Sequence, residues 1–155
     1  MKERIEHITL DTASLIMRNE EIAREKERIV KDILEHNSFS VKTHPSGPYH
    51  IHFTSAGNQL VIDIRKQGNG ENVLTIPLML GAFRRVIRDY HLICDSYVKA
   101  IESAHPAKIE AIDMGRRGVH NEGAEMLAEQ LEPQLDIDFE TARRLFTLIS
   151  VLHMK

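Results

Sequence analysis

A chain of 155 residues, 42% apolar and 28% charged, is long enough to bury a core as one domain without disulfides or metal staples. Its formal net charge of −3 argues against a dedicated nucleic-acid binder, which usually carries a basic surplus. A lone cysteine, Cys94, excludes an internal disulfide, and no apolar run approaches the ~20 residues that span a bilayer. The amino-terminal Met-Lys-Glu-Arg-Ile-Glu-His lacks the apolar stretch of a secretory signal, so a cytoplasmic protein without a membrane partner is expected.

Arg4–Asp11 is short and rich in Ile and Thr, which predicts a strand. From Asn19 the period changes to that of a helix. Asn19 is the expected N-cap, Glu20 and Glu21 complement the positive helix end, and Ile22, Ile29, Val30, Ile33 and Leu34 form an apolar stripe. Asn37 is expected to end this helix in a left-handed conformation.

Ser38–Thr43 reads as a weak strand, followed by a turn at Pro45-Ser46-Gly47-Pro48. Tyr49–Thr54 alternates, with Tyr49, Ile51 and Phe53 on one face and His50, His52 and Thr54 on the other. Gln59–Arg65 alternates as well. A two-residue Gly57-Asn58 loop sets Phe53 opposite Ile62 and Ile51 opposite Ile64, gathering the large apolar residues on one face. Asn72–Ile76 completes the predicted β-meander, about 38–76, and Pro77 closes it.

The remainder, 78–154, is helical. A long helix, about Leu78 to Ala104, places Leu80, Phe83, Ile87, Tyr90, Cys94, Tyr97 and Ile101 at steps of three and four. Pro106 opens a second helix that carries Ile109 and Ile112 and stops at Gly115. A third is expected from about Val119 to Glu132. Asp138 caps a last helix, apolar nearly all round from Leu145 to Leu152 and so expected in the domain centre. Strands first and helices after predict one α+β domain, a meander of four to five antiparallel strands on about five helices.

The strings Gly47-Pro48-Tyr49, Phe83-Arg84-Arg85, Asp89-Tyr90, Ala111-Ile112-Asp113-Met114-Gly115-Arg116-Arg117-Gly118, His120-Asn121-Glu122-Gly123 and Thr141-Ala142-Arg143-Arg144-Leu145-Phe146-Thr147 run through most of the chain. In these it resembles one of the numbered uncharacterised protein families of bacteria. That resemblance implies no activity, cofactor or catalytic residue, so function is argued from the residues.

Ala111–Gly123 is the densest polar stretch, and it is predicted to be a turn between two helices. Gly115-Arg116-Arg117-Gly118 would then cradle an anion, with free N–H groups from the following helix and bidentate arginines. The bland alternative makes Gly115 a C-cap and Asn121 an N-cap, with the arginines paired to nearby carboxylates. His120, oriented by Asp113 or Glu122, would supply acid–base chemistry in an enzyme, though no nucleophile or triad is evident. The Gly-x-x-Gly also matches the loop of KH nucleic-acid modules, which expect an aliphatic residue where Asn121 stands.

Arg84, Arg85 and Arg88 lie near the start of the long helix, where the macrodipole disfavours cations. Arg84 and Arg88 share a flank with His91 and Asp95 and are expected to converge with Arg116 and Arg117; ion pairing of Arg85 with Asp89 is the alternative. His50 and His52 would face Arg65 and Asp63, a set more consistent with a solvated polar face than with zinc. Cys94 is expected as a core thiol. The leading expectation is therefore an anionic small molecule or modified partner bound by Arg84, Arg88, Asp113, Arg116, Arg117, His120, Asn121 and Glu122, without a cofactor. An interaction scaffold whose polar turn is structural is the main alternative; separately, the apolar final helix could face a second subunit instead of the domain centre and make a homodimer.

Overall fold

The computed structural model describes residues 3–11, 20–45, 47–68 and 70–153. In chain order the elements are β1 (Ile5–Leu10), α1 (Glu20–Glu35), β2 (Phe39–Val41), β3 (Tyr49–Ala56), β4 (Gln59–Lys66), β5 (Asn72–Met79), α2 (Arg84–Ser103), α3 (Pro106–Leu131), β6 (Leu135–Ile137) and α4 (Phe139–Leu152). A 3₁₀ turn, Leu80–Phe83, leads from β5 into α2. The class is α+β as the pattern predicts, with four α-helices rather than five.

The main sheet runs β1-β3-β4-β5. Its β3–β4 hairpin has the expected register, with Phe53 paired to Ile62 and Ile51 to Ile64 across Gly57-Asn58. The sheet departs from a pure meander at both edges. β1 lies parallel to β3, because α1 intervenes between them and returns the chain in the same direction. β2 leaves the sheet altogether and pairs with β6, Phe39 opposite Ile137 and Val41 opposite Leu135. At the other edge Pro77 does not close the sheet: β5 continues to Met79 with Pro77 opposite Val61. An edge strand tolerates a residue without an N–H.

Alternation buries Tyr49, Ile51, Phe53, Leu60, Ile62 and Ile64 on one face of the sheet. α4 packs there, and Phe146, Leu148 and Ile149 are buried. α1 and α3 flank α4, and the buried apolar residues of α4 pack within its own chain. Asp138 caps α4 as expected, its Oδ1 accepting from the N–H of Thr141 at 2.9 Å.

α1 buries Ile22, Ile29 and Ile33; the expected cap, Asn19, lies outside the described residues. Asn37 does not enter the left-handed region, where only glycines stand among the described residues. Its side chain does the terminating: Nδ2 donates to the carbonyls of Ile33 (2.7 Å) and Ile5 (3.1 Å), and Oδ1 accepts from the N–H of Ile5 (2.7 Å). One amide thus satisfies an orphan helix carbonyl and ties the helix to β1.

Candidate functional site

The predicted turn at 111–123 is not a turn. α3 runs unbroken from Pro106 to Leu131, with His105 as N-cap and Pro106 in the first turn. Gly115 therefore caps nothing, Asn121 starts no helix, and no free N–H groups are available to cradle an anion. A KH-type Gly-x-x-Gly loop is not formed either. The glycines serve packing instead. A β-carbon at Gly115 would stand 2.8 Å from Cδ1 of Ile93, and one at Gly123 would collide with the ring of Phe146. α3 thereby lies close to α2 on one side and to α4 on another.

Because the segment is helical, Asp113, Arg116 and His120 fall on one side of α3 by spacings of three and four. Arg116 donates through Nε (3.1 Å) and Nη2 to Oδ1 of Asp113. Arg117 reaches the other oxygen, Oδ2, at 2.7 Å. Two guanidiniums therefore share one carboxylate. The hydrogen bond from Arg116 is the chief reason that Asp113 is held below the usual carboxylate range, and the same bond raises Arg116. The Arg116 guanidinium also lies over the ring of Tyr97, 4.7 Å from its centre.

His120 sits one turn on, its ring 5.3 Å from that of Tyr90 and 5.7 Å from that of Phe146. Thr147 Oγ1 donates its single hydrogen to the carbonyl of Arg143 at 3.0 Å. It must then accept from His120, so Nε2 carries the proton across the 2.7 Å contact. Nδ1 is left with the lone pair and receives Nε–H of Arg143 at 3.3 Å. Burial first, then the charges of Arg143 and Arg116, hold His120 below the ordinary histidine value. It is a neutral imidazole with both nitrogens engaged.

The expected partnership of His120 with Asp113 or Glu122 is not made. Glu122 pairs with Arg85, which also binds Asp89 at 2.9 Å. That second pair is the alternative anticipated for the α2 arginines. The bridge from this arginine group to α3 is made by Arg85, and Arg84 and Arg88 share no partner with Arg116 or Arg117 among the described residues. Arg84 donates to Oδ1 of Asn58 in the β3–β4 turn, and the closest carboxylate of Arg88 is Asp89 at 3.9 Å. Asn121 keeps a buried Oδ1 without a partner among the described residues.

Sequence reasoning missed Arg143, Thr147 and Tyr97 as members of this cluster. Asp138 fixes the start of α4, and the spacing Arg143–Thr147 was the signal that both share a face, but the chain offered nothing to say that the face meets α3. Cys94 is half-buried rather than sealed in the core, and burial pushes its thiol up.

On the sheet, His50 and His52 face Arg65 and Asp63 as expected. Both imidazoles bond Thr9 Oγ1, at 2.8 and 2.6 Å. Among the described residues no group of three or more His, Cys, Asp or Glu side chains is placed to hold a metal ion. No helix of the described residues is long and apolar enough to cross a membrane.

Residues 2–155 match the family described as "Uncharacterised protein family (UPF0262)". Among its relatives, a UPF0262 protein of Nitrobacter winogradskyi is 48% identical over 154 residues, covering 99% of this chain and 92% of that protein. A second, from Xanthobacter autotrophicus, is 48% identical and covers 98% and 93%. A third, from Rhodopseudomonas palustris, is 49% identical with the same shares. No solved structure matches the chain. The chain belongs to the UPF0262 family, a bacterial family with no established function.

Proposed function

We propose that the protein binds a small anionic ligand, or an anionic group on a partner, beside α3 where Arg116 and Arg117 share Asp113. One observation carries the reading: two guanidiniums converge on a single carboxylate, and among the described residues no second carboxylate pairs with either. Arg116 is also pre-oriented by its two bonds to Asp113 and by the Tyr97 ring, so little side-chain freedom remains to be lost on binding. Arg117 is 68% exposed and open to a ligand from solvent. Arg143, on the neighbouring helix, adds a third guanidinium next to His120. With both ring nitrogens of His120 engaged, the arrangement supports binding rather than proton transfer. Calorimetric titration with citrate tests it. Saturable binding that Arg116→Gln/Arg117→Gln weakens by about tenfold or more supports the site, and equal affinity in that variant overturns it.

A second reading has its own observation. Val98 and Ile101 on α2 and Met114 on α3 are each more than half exposed, and all lie in the half of the α2–α3 hairpin nearest its connection. Lys99, Glu102, Lys108 and Glu110 are exposed around them in equal numbers of each sign, as a self-complementary interface requires. A second copy of the chain is the occupant this pattern fits. Sedimentation of the wild type against Val98→Glu/Ile101→Glu decides it: a dimer lost in the variant supports the reading, and a monomeric wild type ends it.

A further inference from the structure

The face of the main sheet turned away from the helices carries His7 and Thr9 from β1, His50 and His52 from β3, Asp63 and Arg65 from β4 and Thr75 from β5. Arg65 is the unresolved member. Its side chain is half-buried, its Nε is shut off from solvent without a partner, and it makes no ion pair among the described residues. Asp63, two residues along on the same face, accepts from Thr75 Oγ1 at 2.9 Å instead. Charged donors removed from water are normally answered by an acceptor. Beside Arg65 in register stands His50, whose ring meets that of His7 edge-on at 4.8 Å.

The histidine pair constrains what the acceptor is. Thr9 Oγ1 contacts Nε2 of His50 and Nδ1 of His52 but has only one hydrogen. It donates to one ring and accepts N–H from the other. The two remaining ring nitrogens, His50 Nδ1 and His52 Nε2, are then one N–H and one lone pair while both rings are neutral. Neither has a partner among the described residues. The face thus presents a guanidinium fork, one imidazole donor and one imidazole acceptor.

We propose that this face binds inorganic phosphate, held by Arg65, His50 and His52. Hydrogen phosphate has oxygens for the guanidinium and for the imidazole N–H, and one O–H for the imidazole lone pair. Sulfate has no proton to give near neutral pH and leaves that lone pair unanswered. A phosphomonoester, ionised above its second pKa of about 6, has the same deficit. Protonation of an imidazole turns the lone pair into a donor, so the preference over sulfate fades in acid. Among the described residues of the four strands, the charged and titratable groups on this face are His7, His50, His52, Asp63 and Arg65, with Asp11 just beyond the end of β1. Burial, followed by the charges of His7, Arg65 and His52, holds His50 below its ordinary value.

The test is calorimetric titration of the full chain with inorganic phosphate, sulfate and glycerol 2-phosphate at pH 7.5 in about 0.15 M salt. Phosphate should saturate with a Kd of about 1 mM or tighter and exceed both other anions several-fold. Arg65→Gln should weaken phosphate about tenfold, and by the same factor in an Arg116→Gln/Arg117→Gln background, which separates this site from the one on α3. Thr9→Val, which keeps the strand and removes the shared hydroxyl, should abolish the preference for phosphate over sulfate. Absence of phosphate binding, equal binding of sulfate, or an unchanged preference in a folded Thr9→Val protein each overturns the proposal.

Discussion

The ring of Phe146 occupies the space that a β-carbon on Gly123 would need. α3 and α4 meet at this point with both residues buried, where close packing leaves little space for an added group. Gly123→Ala should therefore lose about 1–3 kcal/mol by overpacking. Gly118 is the internal control. It is exposed in the same helix, with nothing near the position of an added β-carbon. Gly118→Ala should gain about 0.5–1 kcal/mol from helix propensity alone. Denaturant unfolding of the two variants measures both. A loss at Gly118 would mean that the helix does not run through the double-arginine segment.

Asn37 makes three hydrogen bonds with one side chain, joining the end of α1 to β1. Asn37→Ala should cost about 1–3 kcal/mol, since the N–H of Ile5 loses its acceptor in a partly buried place. Asn37→Gly, the better residue for a left-handed C-cap, should cost as much, because the native helix end does not use that conformation. Recovery of stability in the glycine variant would contradict this account of the helix end.

Thr147 and Arg143 between them assign the proton of His120 to Nε2. Nitrogen-detected NMR should show that single tautomer near pH 7, and Thr147→Val should mix the two. The folded chain holds His120 below the ordinary value of 6.5, with burial the largest cause. The unfolded chain therefore binds this proton first. Stability is full above pH 6.5 and declines as pH falls from 6.5 towards the folded value, where the loss levels off. His120→Gln should flatten that part of the stability–pH curve, whatever it does to stability at pH 8. An unchanged slope would show that His120 is not held neutral.

Tyr90 and Cys94 lie one turn apart on α2, and burial is the first cause of the shift in both. The Tyr90 phenol is pushed up to about 12. An ultraviolet titration should show a late-ionising phenol that disappears in Tyr90→Phe. The single thiol should react with a disulfide reagent more slowly in the folded chain than in denaturant, since the thiolate is the reacting species. Equal rates would mean that α2 does not shield this face.

The β3–β4 hairpin was legible because its two strands alternate strictly and a two-residue loop fixes their register. Asp138 and the apolar run of α4 were legible for the same kind of reason, a cap and a period in one window. The double-arginine segment was misread because glycine signals a turn only when its backbone freedom is what matters. At Gly115 and Gly123 the small side chain matters, and that depends on Ile93 and Phe146, which are far away in the chain. β6 was missed and β2 misplaced because three-residue strands carry almost no period and are defined by each other. Pro77 was read as a stop because its tolerance depends on β5 lying at an edge, which is a property of the sheet. Of the candidate site, the residue types were visible and the pairings were not: Arg85 with Glu122 and His120 with Thr147 join separate helices.

The most direct test of anion binding beside α3 is native mass spectrometry of the gently purified protein, before and after denaturation. The account predicts a small anion that leaves on denaturation and is absent from the Arg116→Gln/Arg117→Gln variant but present in Arg65→Gln. The same bound mass in the double-arginine variant, or a bare wild-type chain that also fails to bind citrate, would contradict it.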